Sequence, residues 1–446
     1  MYIDNGLLSY CWKHKLYGEG LTATNKESIE VVDAGLFDRH HGRRFFNAKV
    51  RIGKLLYVGN VLILNGTNDF YGSFEDYKKE STSVILVVCN FVTTTCVDAQ
   101  GRSVPVLEVE IPENVDKNAS ILMSEHGDKI CHAHIMKYTS NLMRHAWLTA
   151  MQTEFLEEES DYLKRYYKEC NSDIEQTFFC AMLRAFGFNV NKVAMDLLAR
   201  NIPFYALEHH RDDLFQVEAF ILGQAGLLTL EPEIQCAVPE KYLRDALMEG
   251  YLAKMRNEYL YLQHKYSMQS ISRLCWHPYG KGGLVYPHMY LSMIANWWYN
   301  RYSAKAALEA KTVKEAMNLL NTHCTPYWDT HYIFGSTSQK CEKRLSDDRK
   351  AWLIMAGLVP FLFFCGRLRS NEELCDRAFE FMDEVRIFST AETNHFKRCG
   401  LEPRDAGESL ALTHLKTAYC TKQMKPEADE RECLRCRFGY EFIKKH

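Results

Sequence analysis

Apolar and polar residues alternate through Ala48, Val50 and Ile52, with Asn47, Lys49 and Arg51 between them. A period of two marks a strand with one face in a core. Two further apolar runs follow at Leu55–Leu64 and Val84–Cys89, and Gly53-Lys54 supplies a turn. The stretch from Gly42 to Asn90 therefore predicts a meander of strands. Upstream, Leu7, Leu8, Cys11, Trp12 and Leu16 fit a short helix, and Ser28–Gly35 fits a strand. Downstream, the turn signal at Asp98–Gly101 joins two strands, the second running through Val104 and Val106 to Glu108 and Glu110, and Pro112 closes the sheet.

Beyond Met136 the period changes to that of a helix. Asn141–Cys170 reads as one long amphipathic helix, Ser172 and Glu175 form a capping-box signature for the next, and Gly187 ends that one. Another helix runs from Asn191 to just before Pro203. The expected fold class is α+β: a strand-rich domain over 1–117, a linker over 118–135, a large all-helical domain over 136–398, and a carboxyl-terminal segment over 399–446 that carries a cysteine cluster. Ala351–Gly366 is apolar but shorter than the roughly 18 residues of a membrane span, and it contains Pro360. It predicts a buried helix whose basic flanks, Arg349-Lys350, Arg367 and Arg369, are solvated ends.

One helix carries chemistry. The run from Asp213 to Leu228 is apolar nearly all round, so it predicts a buried helix. Glu218 falls among Leu214, Ile221, Leu222 and Ala225 on the helical wheel. A buried carboxylate without a partner costs several kcal/mol, on the order of 2–7, so Glu218 must be paired, hydrogen-bonded, protonated or in contact with a ligand. Gln224 at the edge of the same face carries the same alternatives. Trp328 and His331, with Asp329, lie in the YWDTHY turn at 327–332. They are packing residues or part of a binding pocket on a loop over a rigid frame.

Length and composition narrow the classes. At 446 residues the chain suggests two domains, and a net charge of −3 gives no general attraction for nucleic acid or anionic membrane. The 16 cysteines accompany an amino terminus without a secretory pattern, which predicts reduced thiols in a cytoplasm. His40-His41 are adjacent residues that point apart, so they chelate poorly. Cys433-x-x-Cys436 is followed by Phe438-Gly439, and Cys420 lies upstream. These three thiols are candidates for a structural zinc site, with Cys399, His414 or Cys341 as the fourth ligand. Plain buried thiols are the alternative.

LLSYCWKHKLYG at 7–18, IEVVDAG at 29–35, FFNAKVRI at 45–52, DDLFQVEAFILGQAGLL at 212–228, YWDTHYIFG at 327–335, VPFLFF at 359–364 and ECLRCRFG at 432–439 appear in that order. Together they resemble an uncharacterised bacterial family, domain of unknown function 2851, common in Bacteroidetes. The resemblance covers essentially the whole chain. It implies an amino-terminal layout similar to restriction-endonuclease-like nucleases, with an Asp on one strand and a Glu-x-His on the next holding Mg²⁺. At those positions this chain has Arg44, Leu62 and Leu64, and Val87 replaces a family His. The resemblance thus implies a degenerate site in a non-catalytic scaffold or interaction protein, with protein or nucleic acid as the candidate partner; the short apolar run and the net charge imply no membrane. The alternative is a metal-dependent nuclease whose site is assembled from Asp33, Asp38, Asp69 and Glu75.

Overall fold

The computed structural model describes residues 5–18, 20–37, 44–71, 83–124, 127–188, 190–229, 250–277, 287–300, 302–420 and 432–444. His40, His41, Asp38 and Glu75 lie outside the described residues. The chain divides into two compact units. The first gathers Met1–Arg144, Arg398–Leu401 and Leu415–His446, and the second gathers His145–Lys397 and Glu402–His414.

In the first unit, α1 (Asn5–His14) precedes β1 (Ile29–Asp33), β2 (Leu36–Phe37), β3 (Arg44–Ile52), β4 (Leu55–Gly66), β5 (Val84–Phe91), β6 (Cys96–Val97), β7 (Ser103–Val104) and β8 (Val106–Glu108). The main sheet has the order β1-β3-β4-β5-β8, with β2 also paired to β3. The first three strands are antiparallel, whereas β5 runs parallel to both β4 and β8. The expected meander therefore holds only as far as β4. Alternation tells which face a residue takes and says nothing of strand direction. The unbroken apolar run of β5 is the signature of a strand covered on both faces.

Both faces are covered. On one, Leu8 and Trp12 of α1 pack with Val50, Val61, Ile63, Leu86 and Val88, and the Trp12 indole N–H donates to the Ala34 carbonyl at 3.0 Å. On the other, Leu64, Val87 and Cys89 pack with Phe70, Cys96, Val104 and Val106. Gly53, at φ 57°, makes the two-residue turn that pairs Ile52 with Leu55. Gly35 closes against a bulge in β3, where a Cβ would lie 2.5 Å from the Phe46 carbonyl oxygen.

The stretch read as a linker is helical: α2 (Glu113–Met123) and α3 (Gly127–Tyr138) span it. Val115, Ala119 and Leu122 recur at helical spacing and are buried, as are Cys131 and Ile135 on α3. The Asn118 amide donates to the carbonyl of Ile443 at 3.3 Å, so the end of the chain packs into this same unit.

The second unit is helical. It begins within α4 (Asn141–Glu169) and continues through α5 (Ile174–Phe186), α6 (Lys192–Asn201), α7 (Phe204–His209), α8 (Leu214–Gln224), α9 (Tyr251–Tyr266) and α10 (Pro287–Tyr299), with further helices to its end. The cap of α5 is Asp173, which accepts from the Gln176 N–H at 3.0 Å. Ser172 instead takes a left-handed φ of 64°, and Glu175 accepts from the Ala304 N–H at 2.8 Å. In place of the capping box expected of Ser172 and Glu175, Asp173 alone caps the helix one residue on, while its own N–H goes to the Cys170 carbonyl. The apolar helix Asp347–Arg369 has 83% of its apolar window buried. A wide π turn at Ile354–Leu358 accommodates Pro360 in its middle.

Candidate functional site

Helix α8 starts on Asp213, whose side chain accepts from the N–H groups of Phe215 and Gln216. Its apolar sides are buried all round, which carries Glu218 into the core at 0% exposure. There the carboxylate meets neutral donors from two other elements. The Tyr251 hydroxyl at the start of α9 donates at 2.8 Å, the Thr325 hydroxyl at 3.0 Å, and the Trp328 indole N–H at 2.7 Å. Ser292 of α10 joins the nest, since its hydroxyl accepts from the Thr325 N–H at 3.1 Å.

Burial pushes the Glu218 carboxyl above the usual carboxylate range, and hydrogen bonds from Ser292, Trp328, Tyr251 and Thr325 pull the other way. Glu159 in the same unit shows the opposite outcome. Burial also opposes its charge, but Lys192 at 2.5 Å and Arg184 at 3.2 Å hold its carboxyl below the usual range. Cations keep one carboxylate ionised; hydroxyls and an indole leave the other raised.

Two of the residues singled out in the sequence, Glu218 and Trp328, therefore touch. His331 joins them through a column of rings. Its ring stacks on Tyr327 at 4.1 Å, and Tyr327 stacks on Tyr251 at 4.3 Å. The His331 Nδ1 atom lies 3.0 Å from both the Tyr327 carbonyl and the Thr330 hydroxyl. Gln224 stands apart. Its side-chain oxygen accepts from the Asn201 amide at 2.7 Å, while its own buried amide nitrogen has no partner among the described residues. Chemically the nest is closed to solvent and ties α8, α9, α10 and the 325–329 turn into one register.

The thiols of the carboxyl-terminal segment fall in the first unit. Cys420 Sγ lies 3.4 Å from His132 Nε2 of α3. Cys433 and Cys436 are buried in a tight turn, where the Cys436 N–H donates to the Cys433 carbonyl at 3.3 Å. Of the fourth ligands considered, Cys399 belongs to this unit. His414 lies in the second unit, 3.4 Å from Glu154, and Cys341 is exposed in the same unit. His132 was not legible as a partner, because His132 and His134, two apart on a helix, face different sides and give no ligand spacing.

On the sheet, Arg44 is buried with its guanidinium 4.4 Å from the Phe46 ring centroid, and it pairs in register with Leu62. Leu62 packs beside Leu64 and Val87 in the second apolar layer. Asp33 accepts from the Gly35 N–H at 2.9 Å and is spent on a local turn, and Asp69 sits exposed in the short helix Thr67–Tyr71.

A cavity of about 500 Å³ in the second unit, lined by Phe188, Ser346, Arg349, Trp352, Phe388 and Thr390 among others, was not foreseen. Arg349 holds its guanidinium 4.3 Å from the Phe188 ring and 5.9 Å from that of Tyr290. Lys350 donates to Asn321 at 2.6 Å. These two basic residues are thus packed groups rather than the solvated ends expected of them.

The fold and the site define an α+β protein with a mixed sheet covered on both faces and a helical body locked by a buried carboxyl tie. The chain belongs to the family described as Protein of unknown function (DUF2851), whose model matches residues 5–395. No curated protein and no solved structure was found to match it.

Proposed function

We propose that this protein is a non-catalytic interaction protein of the cytoplasm, its sheet unit a degenerate relative of a metal-dependent hydrolase. One observation supports this above others: Leu62, Leu64 and Val87 pack with Phe70, Val84, Cys89 and Val106 in an apolar layer. That layer takes up the positions where a hydrolytic site would carry carboxylates and histidine, and hydrocarbon cannot coordinate a divalent ion or activate water. The contact half of the reading is supported by the tip of the β3–β4 hairpin. Four successive apolar residues, Leu55, Leu56, Tyr57 and Val58, are exposed there, which suits an extended apolar segment of a partner protein. A reducing compartment fits the fifteen described cysteines, all thiols.

The purified chain, incubated with Mg²⁺ or Mn²⁺ and mixed DNA or RNA, is expected to release no cleavage products, and calorimetric titration with either ion should give no saturable heat. Cleavage that co-purifies with the protein and disappears in Asp33→Asn or Asp69→Asn would replace this reading with that of an active nuclease.

A further inference from the structure

We propose that the cavity lined by Arg349 and Trp352 binds a free aromatic amino acid, its carboxylate on Arg349 and its ammonium on Glu392. The cavity holds about 500 Å³, inside the range of about 300–1,000 Å³ usual for small-molecule sites. Its lining residues all fall within the second unit, so the site stands independently of the reading of the sheet. Three buried rings wall it, those of Phe188, Trp352 and Phe388. Trp352 has already spent its indole N–H on the Ala185 carbonyl at 3.0 Å, and its ring meets that of Phe388 edge to face with centroids 5.6 Å apart. Phe188 is held there with a left-handed φ of 45°. A bulky residue seldom adopts that conformation, and such strain collects at ligand sites.

Hydrogen-bonding capacity in the cavity narrows to two groups. The hydroxyls are engaged: Ser346 accepts from the Arg349 backbone N–H at 3.3 Å, Ser389 donates to Asn394 at 3.0 Å, and Thr390 accepts from the Thr393 N–H at 3.0 Å. Asp348 is paired with Arg386 at 2.8 Å. Arg349 is half-buried with its guanidinium 4.3 Å from the Phe188 ring, and its side chain makes no hydrogen bond or ion pair among the described residues. Glu392, also half-buried, makes none either. A guanidinium laid on a ring keeps its edge N–H groups for an acceptor, and a carboxylate is the acceptor they match.

The pair of charges decides the occupant. One cation and one anion line the same cavity without pairing with each other. A ligand with a single charge would satisfy one of them and leave the other partly desolvated and alone. A ligand with both charges on a flat apolar body satisfies both and fills the space between the rings. A free aromatic amino acid has that composition. A neutral nitrogen heterocycle stacks on the same rings but offers neither group an opposite charge.

Calorimetric titration of the full chain with L-tryptophan is expected to saturate. Tryptamine, which lacks the carboxylate, and indole-3-propionate, which lacks the ammonium, should each bind at least about tenfold more weakly. Arg349→Met keeps an apolar stem over Phe188; it should weaken tryptophan at least about tenfold and leave tryptamine unchanged. Glu392→Gln should do the converse, weakening tryptophan and leaving indole-3-propionate unchanged. A merely structural role for either residue would not produce this crossed pattern. If Arg349→Met fails to fold, Glu392→Gln, a near-isosteric change at a half-buried position, carries the test by itself. The proposal is overturned by wild-type protein that shows no saturable binding of tryptophan or phenylalanine up to about 10 mM. It is equally overturned by tryptamine or adenosine that binds as tightly as tryptophan, or by tryptophan affinity that survives either substitution unchanged.

Discussion

Glu218→Ala is expected to destabilise the helical unit by about 3–5 kcal/mol, while Glu218→Gln stays within about 1 kcal/mol of the wild type. The alanine leaves three buried donors, from Tyr251, Thr325 and Trp328, facing a cavity. Glutamine keeps an oxygen for Thr325 and Trp328, and its amide can donate to a Tyr251 hydroxyl that turns toward Thr325, 3.4 Å away. The pair of variants also separates two accounts of the charge. Because the folded-state pKa of Glu218 is raised by burial, its contribution is whole below the unfolded carboxyl value of roughly 4 and is lost as pH rises through the folded value. The glutamine variant, which cannot ionise, should therefore gain on the wild type as pH rises. Urea unfolding of both proteins at about pH 5 and about pH 8 measures this directly. A wild type that gains on the glutamine variant over that range would mean that a charged Glu218 is favoured, and the nest would need a cation.

Gly223→Ala is expected to cost about 2 kcal/mol or more, although alanine is the better helix former by about 1 kcal/mol. The added methyl group would stand 2.1–2.5 Å from three ring atoms of Tyr259, so α8 and α9 must part or the ring must move. Tyr259 is itself buried, with little room to retreat. In a double-mutant cycle, Gly223→Ala with Tyr259→Leu should show a coupling energy of about 1 kcal/mol or more, because the smaller side chain relieves the clash. Additive effects, or a Gly223→Ala protein as stable as the wild type, would show that the two helices do not touch there.

The legible parts of this chain were those written in local pattern. All-round apolarity from 214 to 228 placed Glu218 in a core, and the choice left open there, among pairing, hydrogen bonding, protonation and ligand contact, falls in the structure on three neutral donors. The donor identities were not legible, because Thr325 and Trp328 lie more than a hundred residues away and no periodicity links them to α8. The parallel pairing of β4 with β5 was hidden for a similar reason: hydrophobic pattern fixes faces, whereas direction depends on the path between strands. The 118–135 stretch was read as a linker because its composition is mixed, yet its polar Asn118, His132 and His134 are buried along with the apolar face. Arg349 was read as a solvated end because charge suggests water, and its aromatic neighbours come from the turn after α5, Phe188, and from α10, Tyr290.

The first unit draws on residues 415–446 as well as on 1–144, and this imposes an order on synthesis. Strands and early helices leave the ribosome long before α2 can find Ile443. The strands of this unit, which all lie within residues 29–108, can pair in that interval, whereas α2 stays without its late partner while the entire helical unit is made and folds. A chain released after the helical unit but short of residues 415–446 would carry an intact second unit and a first unit whose α2 lacks its carboxyl-terminal partner.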